Sequence, residues 1–187
     1  MRLFLAVTLP EELQDAIERA TAPARAASPR VRWVRAAQLH LTMKFIGERP
    51  ASDVGPIAEV VREVVAGLPA LRVTLRGAGA FPNFRRPRVV WLGMHPPAPL
   101  ATLARHLDDA LTPLGVDAES RPFRAHVTLG RVGEALAVES AHTLERALHD
   151  VTASWSLAVR GVALVQSTLG PGGPSYRELD TFPLGAR

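Results

Sequence analysis

Two short runs in this 187-residue chain carry the same chemistry, His40-Leu41-Thr42-Met43 and His126-Val127-Thr128-Leu129. Each reads His, apolar, Thr, apolar, and no other His-x-Thr occurs in the sequence. On a β-strand alternate side chains point to opposite faces. His40 and Thr42 then share one face, as do His126 and Thr128, with Leu41, Met43, Val127 and Leu129 turned into a core. Unperturbed imidazole titrates near neutral pH, so two of them across a cleft can divide the work of acid and base. A neutral ring takes the proton of an attacking nucleophile, and a protonated ring gives one to the leaving oxygen. The Thr hydroxyls can donate hydrogen bonds to a phosphoryl oxygen held between the two faces. Arg and Lys side chains can neutralise its remaining charge. This pattern suits metal-free attack at a phosphodiester, with a strained cyclic phosphate as a natural target.

Two other readings of the pair stay open at this level. His40 and His126 could be satisfied structural histidines on half-buried strands, or they could ligate a metal. The second needs more donors than the neighbourhoods offer, since no Asp or Glu adjoins either motif and the chain has no Cys. The other histidines, His95, His106, His142 and His149, fall in a Pro-rich break or on predicted helices without a Thr partner, and read as surface residues.

The elements that must position the motifs are legible from periodicity. Residues 2–8 alternate as a strand, and Pro10-Glu11-Glu12 opens a helix, because Pro suits its first turn and carboxylates suit its positive end. Leu13, Ile17 and Ala20 give that helix its apolar face, and the Pro- and Ala-rich stretch 21–30 is expected to end it. Strands are expected at 31–34 and, bearing the first motif, 39–45. A helix capped by Ser52 or Asp53 runs to about Gly67 with Ile57, Val60, Val61 and Val64 on one side. Strands at 71–75 and 89–92 flank a Pro-rich loop, 81–88. A helix carrying Leu100, Leu103, Leu107 and Leu111 precedes the second motif strand, 124–129. A helix within 136–149, strands at 155–160 and 162–168, a Gly-Pro turn at 170–174 and a strand around 176–179 complete the chain. Hairpin-like neighbours outnumber plain crossovers, which favours α+β with antiparallel sheets. The second motif follows the first by close to half the chain length, and each is followed by turn, helix, strand, loop and strand. Two similar half-chains are therefore expected to face one cleft.

Composition sets the outer bounds. A hydrophobic content of 47% and a charged content of 21% describe an ordinary globular chain, long enough for one domain with a real core. No apolar run reaches the length of a membrane span, and the opening Leu3-Phe4-Leu5-Ala6-Val7 is too short for a signal-peptide core. The absence of Cys removes disulfides and thiolate catalysis and fits a cytoplasmic protein. The formal charge is +4, and Lys44 is the single lysine. An Arg-rich surface suits a phosphate-bearing partner, although a bias toward Arg and Ala codons would produce the same balance.

Taken together, these segments resemble the RNA 2′,3′-cyclic phosphodiesterase or 2′-5′ RNA ligase family of two-histidine (2H) phosphoesterases. The likeness runs nearly end to end. It covers Arg2 to Val7 with Leu9-Pro10, Trp33-Val34, the first motif through Glu48, Gly79-Ala80-Phe81-Pro82 and Pro87 to Gly93. It continues through Arg121 to Arg131, Leu164 to Gly170, Tyr176 and Phe182-Pro183-Leu184. The resemblance implies a single domain over 1–187, bilobal, with two pseudo-symmetric antiparallel sheets flanked by helices, a central cleft and one motif per lobe. It implies hydrolysis of an RNA 2′,3′-cyclic phosphate end to a 2′-phosphate by a monomer, without metal, ATP or other cofactor. Joining of such an end to a 5′-hydroxyl would use the same acid and base.

Carried onto this chain, His40 is the general acid for the departing 3′ oxygen and His126 the general base for water. Thr42 and Thr128 hold the phosphoryl oxygens, and Arg131 reaches the phosphate. A regular strand would put Arg131 on the opposite face from His126, so that role requires a bulge or strand end at Gly130. Lys44 shares the His40 face by spacing and is expected to assist, or else to be a solvated cation at the rim. The loop 81–88 interleaves Phe81 and Phe84 with three arginines, Arg88 among them, a composition that stacks bases and tracks phosphates. Buried phenylalanines in a Pro-rich loop are the competing reading. Two rival functions remain: a non-catalytic module that binds RNA ends, and a phosphodiesterase of small cyclic nucleotides or 2′-5′ oligonucleotides.

Overall fold

The computed structural model describes residues 1–171 and 173–185. Its strands are β1 (Arg2–Thr8), β2 (Val31–Trp33), β3 (His40–Glu48), β4 (Leu71–Phe81), β5 (Val89–His95), β6 (His126–Val132), β7 (Trp155–Val159), β8 (Gly161–Gly170) and β9 (Gly173–Pro183). Its α-helices are α1 (Glu11–Ala27), α2 (Val54–Val65), α3 (Ala98–Leu111) and α4 (Val138–His149). The elements expected from periodicity are present. The turn expected at 170–174 includes Gly172, which lies outside the described residues.

Helix α1 departs from expectation by running through Pro23 to Ala27. Proline removes one helical hydrogen bond, but the buried stripe of Leu13, Ile17, Thr21 and Ala24 continues past it, and packing outweighs that loss. Thr21, not Ala20, completes the inner face. Its hydroxyl donates to the Ile17 carbonyl at 2.8 Å and accepts from Arg25 Nε, so the polar atom is satisfied.

The strands form antiparallel pairs in the order β7-β4-β5-β6-β3-β1-β8-β9, with β2 added beside β6. This sequence of neighbours reads as two quartets, β6-β5-β4-β7 and β3-β1-β8-β9, set back to back. They meet at one residue pair, Leu41 with Val127. Beyond that pair β2 takes the place of β3 alongside β6, pairing Val31–Trp33 with Gly130–Val132. The two lobes are not consecutive half-chains: β8 and β9, from the C-terminal third, complete the lobe that holds β1 and β3.

Helices cover one side and are exchanged between lobes. Helix α3 leaves β5 of one quartet and packs on β3 of the other, beside α2, which also meets β9. Helix α4 packs on β4 beside α1, which leaves β1 of the other quartet. Leu3, Leu5, Val7, Leu41, Met43, Val127 and Leu129 point into this shared core. On the opposite side of β1, Phe4 and Ala6 meet Ala163 and Val165 in a smaller cluster beneath the open face. β1 is thus buried on both sides, which suits its unbroken apolar run.

Candidate active site

The seam between the quartets brings the two motifs together. Leu41 pairs with Val127, and one step of antiparallel register either way sets His40 beside Thr128 and Thr42 beside His126. All four are half-buried on the face away from the helices, and their apolar neighbours are buried. Pairing stops after this one bridge, so the strands part and the four polar side chains border a cleft.

The two histidines are held in the same way. His40 Nδ1 lies 2.7 Å from the carbonyl of Gln38, and His126 Nδ1 lies 2.6 Å from that of Arg124. A carbonyl only accepts, so in each neutral ring Nδ1 carries the proton and Nε2 keeps its lone pair. The Thr42 hydroxyl stands 3.2 Å from His40 Nε2. Burial lowers the pKa of His40, the Gln38 carbonyl partly restores it, and the charges of Arg131 and His126 lower it again. Burial likewise lowers His126, offset in part by the Arg124 carbonyl and reinforced by the charges of Arg131 and Arg124.

Matching bulges follow the two motifs. In β6 the register with β5 jumps from Thr128–Trp91 to Gly130–Val90, skipping Leu129. In β3 the register with β1 jumps from Thr42–Ala6 to Lys44–Leu5, skipping Met43. The extra residue restores the cleft face one position late, so Arg131 is exposed on the side of His126 and Thr128 while Val132 turns inward. A Cβ on Gly130 would stand 2.6 Å from Val31 Cγ1, which is why the bulge in β6 takes glycine where β2 closes over it.

The same kind of bulge corrects the expectation for Lys44. It turns Lys44 away from His40 to the helix side, where the residue is 2% exposed. There Nζ meets Asp108 Oδ1 of α3 at 2.5 Å and donates to the Asp117 carbonyl at 2.5 Å, with Glu119 Oε1 at 3.6 Å. Lys44 is neither a substrate ligand nor a solvated rim cation. Phe45, 56% exposed, holds the place in β3 that Arg131 holds in β6.

The 81–88 segment divides. Phe81 ends β4 and sets its ring edge-on to His126 at 5.0 Å, with the Arg124 guanidinium 5.4 Å over it. Phe84 does not join it: the ring packs against the main core and meets His149 of α4 edge-on at 5.7 Å. Arg88 donates to the Gly133 carbonyl at 3.0 Å, outside the motif face. The loop curls around the end of β4 toward α4, so Phe84 and Arg88 lie away from the two imidazoles. Tyr176 takes a place that local pattern does not announce. Pairing of β9 with β8 brings it edge-on to His40 at 5.2 Å, and Phe4 lies 5.1 Å from the same imidazole. Burial raises the phenol's pKa, with Arg131 and Arg2 opposing. Each imidazole therefore has an aromatic wall, Tyr176 and Phe4 for His40 and Phe81 for His126.

Comparison with known proteins agrees with this geometry. The family model described as the 2′-5′ RNA ligase superfamily matches residues 9–171. An RNA 2′,3′-cyclic phosphodiesterase of Methanothermobacter thermautotrophicus is 36% identical over 184 residues, covering 98% of this chain and 99% of its own. One from Escherichia coli is 35% identical, covering 98% and 96%. A crystal structure of a Thermus thermophilus protein superposes with a TM-score of 0.81 at 30% identity, covering 98% of both chains. That of E. coli LigT complexed with 3′-AMP gives 0.76 at 31% identity, covering 99% of this chain and 98% of that one. With sequence and fold alike matched along nearly its whole length, the chain belongs to the 2′-5′ RNA ligase superfamily.

Proposed function

We propose that this chain hydrolyses RNA 2′,3′-cyclic phosphate ends to 2′-phosphates, with His40 as general acid and His126 as general base. The observation that carries the reading is the matched pair of imidazoles. Both are pinned through Nδ1 to a carbonyl two residues earlier, on adjacent strands of one seam. Displacement at phosphorus wants attacking and leaving oxygens in line. A phosphate between the rings meets that demand: His126 Nε2 draws the proton from water on one side while His40 releases one to the 3′ oxygen on the other. Thr42 and Thr128 donate to the non-bridging oxygens, and Arg131 neutralises their charge. Phe81 is a wall for the substrate next to His126.

Relatives named RNA 2′,3′-cyclic phosphodiesterase, at 36% and 35% identity over nearly the full length, support the same substrate. The acid, the base and the cation all come from one chain, which supports a reaction carried out by a single copy with its own side chains. A cysteine-free chain acting on RNA ends suits the cytoplasm. With a 5′-hydroxyl in place of water as the nucleophile, the same acid and base join a cyclic end to it. The test is hydrolysis of a cyclic-ended oligonucleotide by wild type and single variants. His40→Ala and His126→Ala should each lower kcat/KM by about 10²- to 10⁴-fold with unchanged circular dichroism and unfolding. Normal turnover in His126→Ala would overturn the pairing.

A further inference from the structure

Beyond His126 the open face continues as an aromatic path. Phe81 meets His126 on one side and Trp91 on the other, the second ring pair 5.1 Å apart. The indole then lies against the backbone of Gly79, where a Cβ would stand 2.3 Å from Trp91 Cζ2. At this point β4 has lost its outer neighbour, because β7 pairs only with Leu71 to Leu75. An open groove of about 750 Å³ follows the bare edge. Gly79 and Trp91 line it on the sheet, Phe84 and Arg85 in the following turn, and His142 and Glu145 on α4. Trp91 Nε1 is buried with no acceptor among the described residues. Arg85, which lines the groove, pairs with no carboxylate among the described residues, which leaves its charge for an anion.

In-line geometry assigns a side to each reactant. With His40 on the departing 3′ oxygen, the ribose bearing the cyclic phosphate lies on its side, where a cavity of about 170 Å³ opens beside Tyr176 and Phe4. The nucleophile enters past His126. Water needs no groove there, but a nucleoside trailing a phosphodiester chain does.

We propose that the groove along the free edge of β4 seats the attacking strand in 2′-5′ joining, an RNA with a 5′-hydroxyl end. The inference rests on the acid and base roles given above to His40 and His126. The 5′ O–H passes its proton to His126 Nε2 as the P–O5′ bond forms. The P–O3′ bond breaks, its electron pair stays on the 3′ oxygen, and that oxygen takes the proton from His40. The first base of the strand stacks along Phe81 and Trp91, a contact that tolerates any base, and its next phosphate meets Arg85.

The experiment follows joining and hydrolysis together, using the full chain, a short cyclic-ended RNA and a 5′-hydroxyl oligonucleotide. Arg85→Glu should lower joining about tenfold through the KM of the 5′-hydroxyl strand and leave hydrolysis unchanged, since one phosphate contact is lost. Glu145→Gln should raise joining by relieving the repulsion of the groove's carboxylate. Joining that responds to neither substitution, or hydrolysis that falls in step with it, overturns the groove. A wild type that hydrolyses but never joins overturns it too, with the hydrolase reading intact. A wild type that hydrolyses nothing removes the acid-base reading beneath both.

Discussion

Burial and the charge of Arg131 both work against protonation of His40 and His126. This has a direct kinetic consequence. On the proposed roles, activity on the acid side requires His126 to be neutral, and activity on the alkaline side requires His40 to keep its proton. With both values pulled down, the bell of kcat/KM should centre below the ordinary imidazole value of about 6.5. A bound anionic phosphate favours the protonated rings, so the kcat profile should lie at higher pH than that of kcat/KM. Arg131→Gln removes a charge that lowers both histidines. It should move both limbs upward and cost about 10²- to 10³-fold in kcat/KM, as loss of a group that stabilises developing charge does. Stopped-assay rates from acid to mildly alkaline pH check this, with unmoved limbs placing Arg131 outside the site's field. At this scale the four motif residues are readable from type and spacing alone. Tyr176 is not, because its position against His40 depends on β8 pairing with β1 and carrying the β8–β9 hairpin back to the first lobe, and no local pattern encodes that pairing.

Two bulges decide which side chains follow the motifs into the cleft, and they use different chemistry to do it. In β6 a missing Cβ at Gly130 lets β2 close over the bulge. In β3 the corresponding slot opens toward α3 and is filled by Lys44, held by Asp108 and by Asp117 and Glu119 of the segment leading to β6. The first motif strand is thereby tied to the chain that delivers the second. Strict alternation fails at Lys44 because one extra residue reverses the faces, and nothing in His-Leu-Thr-Met-Lys itself reveals an insertion. Alternation fails at Arg131 for the same reason, although the glycine before it is a legible sign. Lys44→Met should destabilise the fold by about 1–3 kcal/mol at neutral pH, since it removes a charge-assisted bond from the partly exposed Asp108 carboxylate. Burial would raise Asp108, but its bonds to Lys44 and to the Glu119 amide hold its pKa below the usual carboxylate value. A carboxylate depressed in the folded state contributes stability above its unfolded pKa of about 3.9 and loses it as pH falls through the folded value. The gap between wild type and variant should therefore be full at neutral pH and close in acid. Urea midpoints at neutral pH and near pH 3 measure it, and equal midpoints at neutral pH would deny the ion pair any structural weight.

Among the described residues the nine strands form one sheet whose two pseudo-symmetric quartets touch at a single bridge, with helices exchanged beneath them and the motif face open above. Repetition of the motif makes the two-fold arrangement legible. That β8 and β9 return to the first lobe is hidden, since antiparallel partners can come from any distance along the chain. Net charge poses the remaining question at this scale, because +4 with almost all cations as Arg is equally the mark of codon bias and of an RNA surface. The two origins predict different salt dependence. Arginines placed to meet phosphates release counterions when RNA binds, so log KM rises with log salt by about 0.7 per phosphate neutralised on a single strand. A cyclic mononucleotide offers one phosphate, assigned to Arg131 in the proposed reaction, whereas a cyclic-ended oligonucleotide adds others along the face. The slope for an eight-nucleotide RNA should therefore exceed that for the mononucleotide by about 1.4 to 2.1, corresponding to two or three further contacts. Steady-state KM across roughly 50 to 300 mM KCl measures both slopes. Should they coincide, the arginines outside the seam have no contact with substrate, and the charge of this chain is compositional.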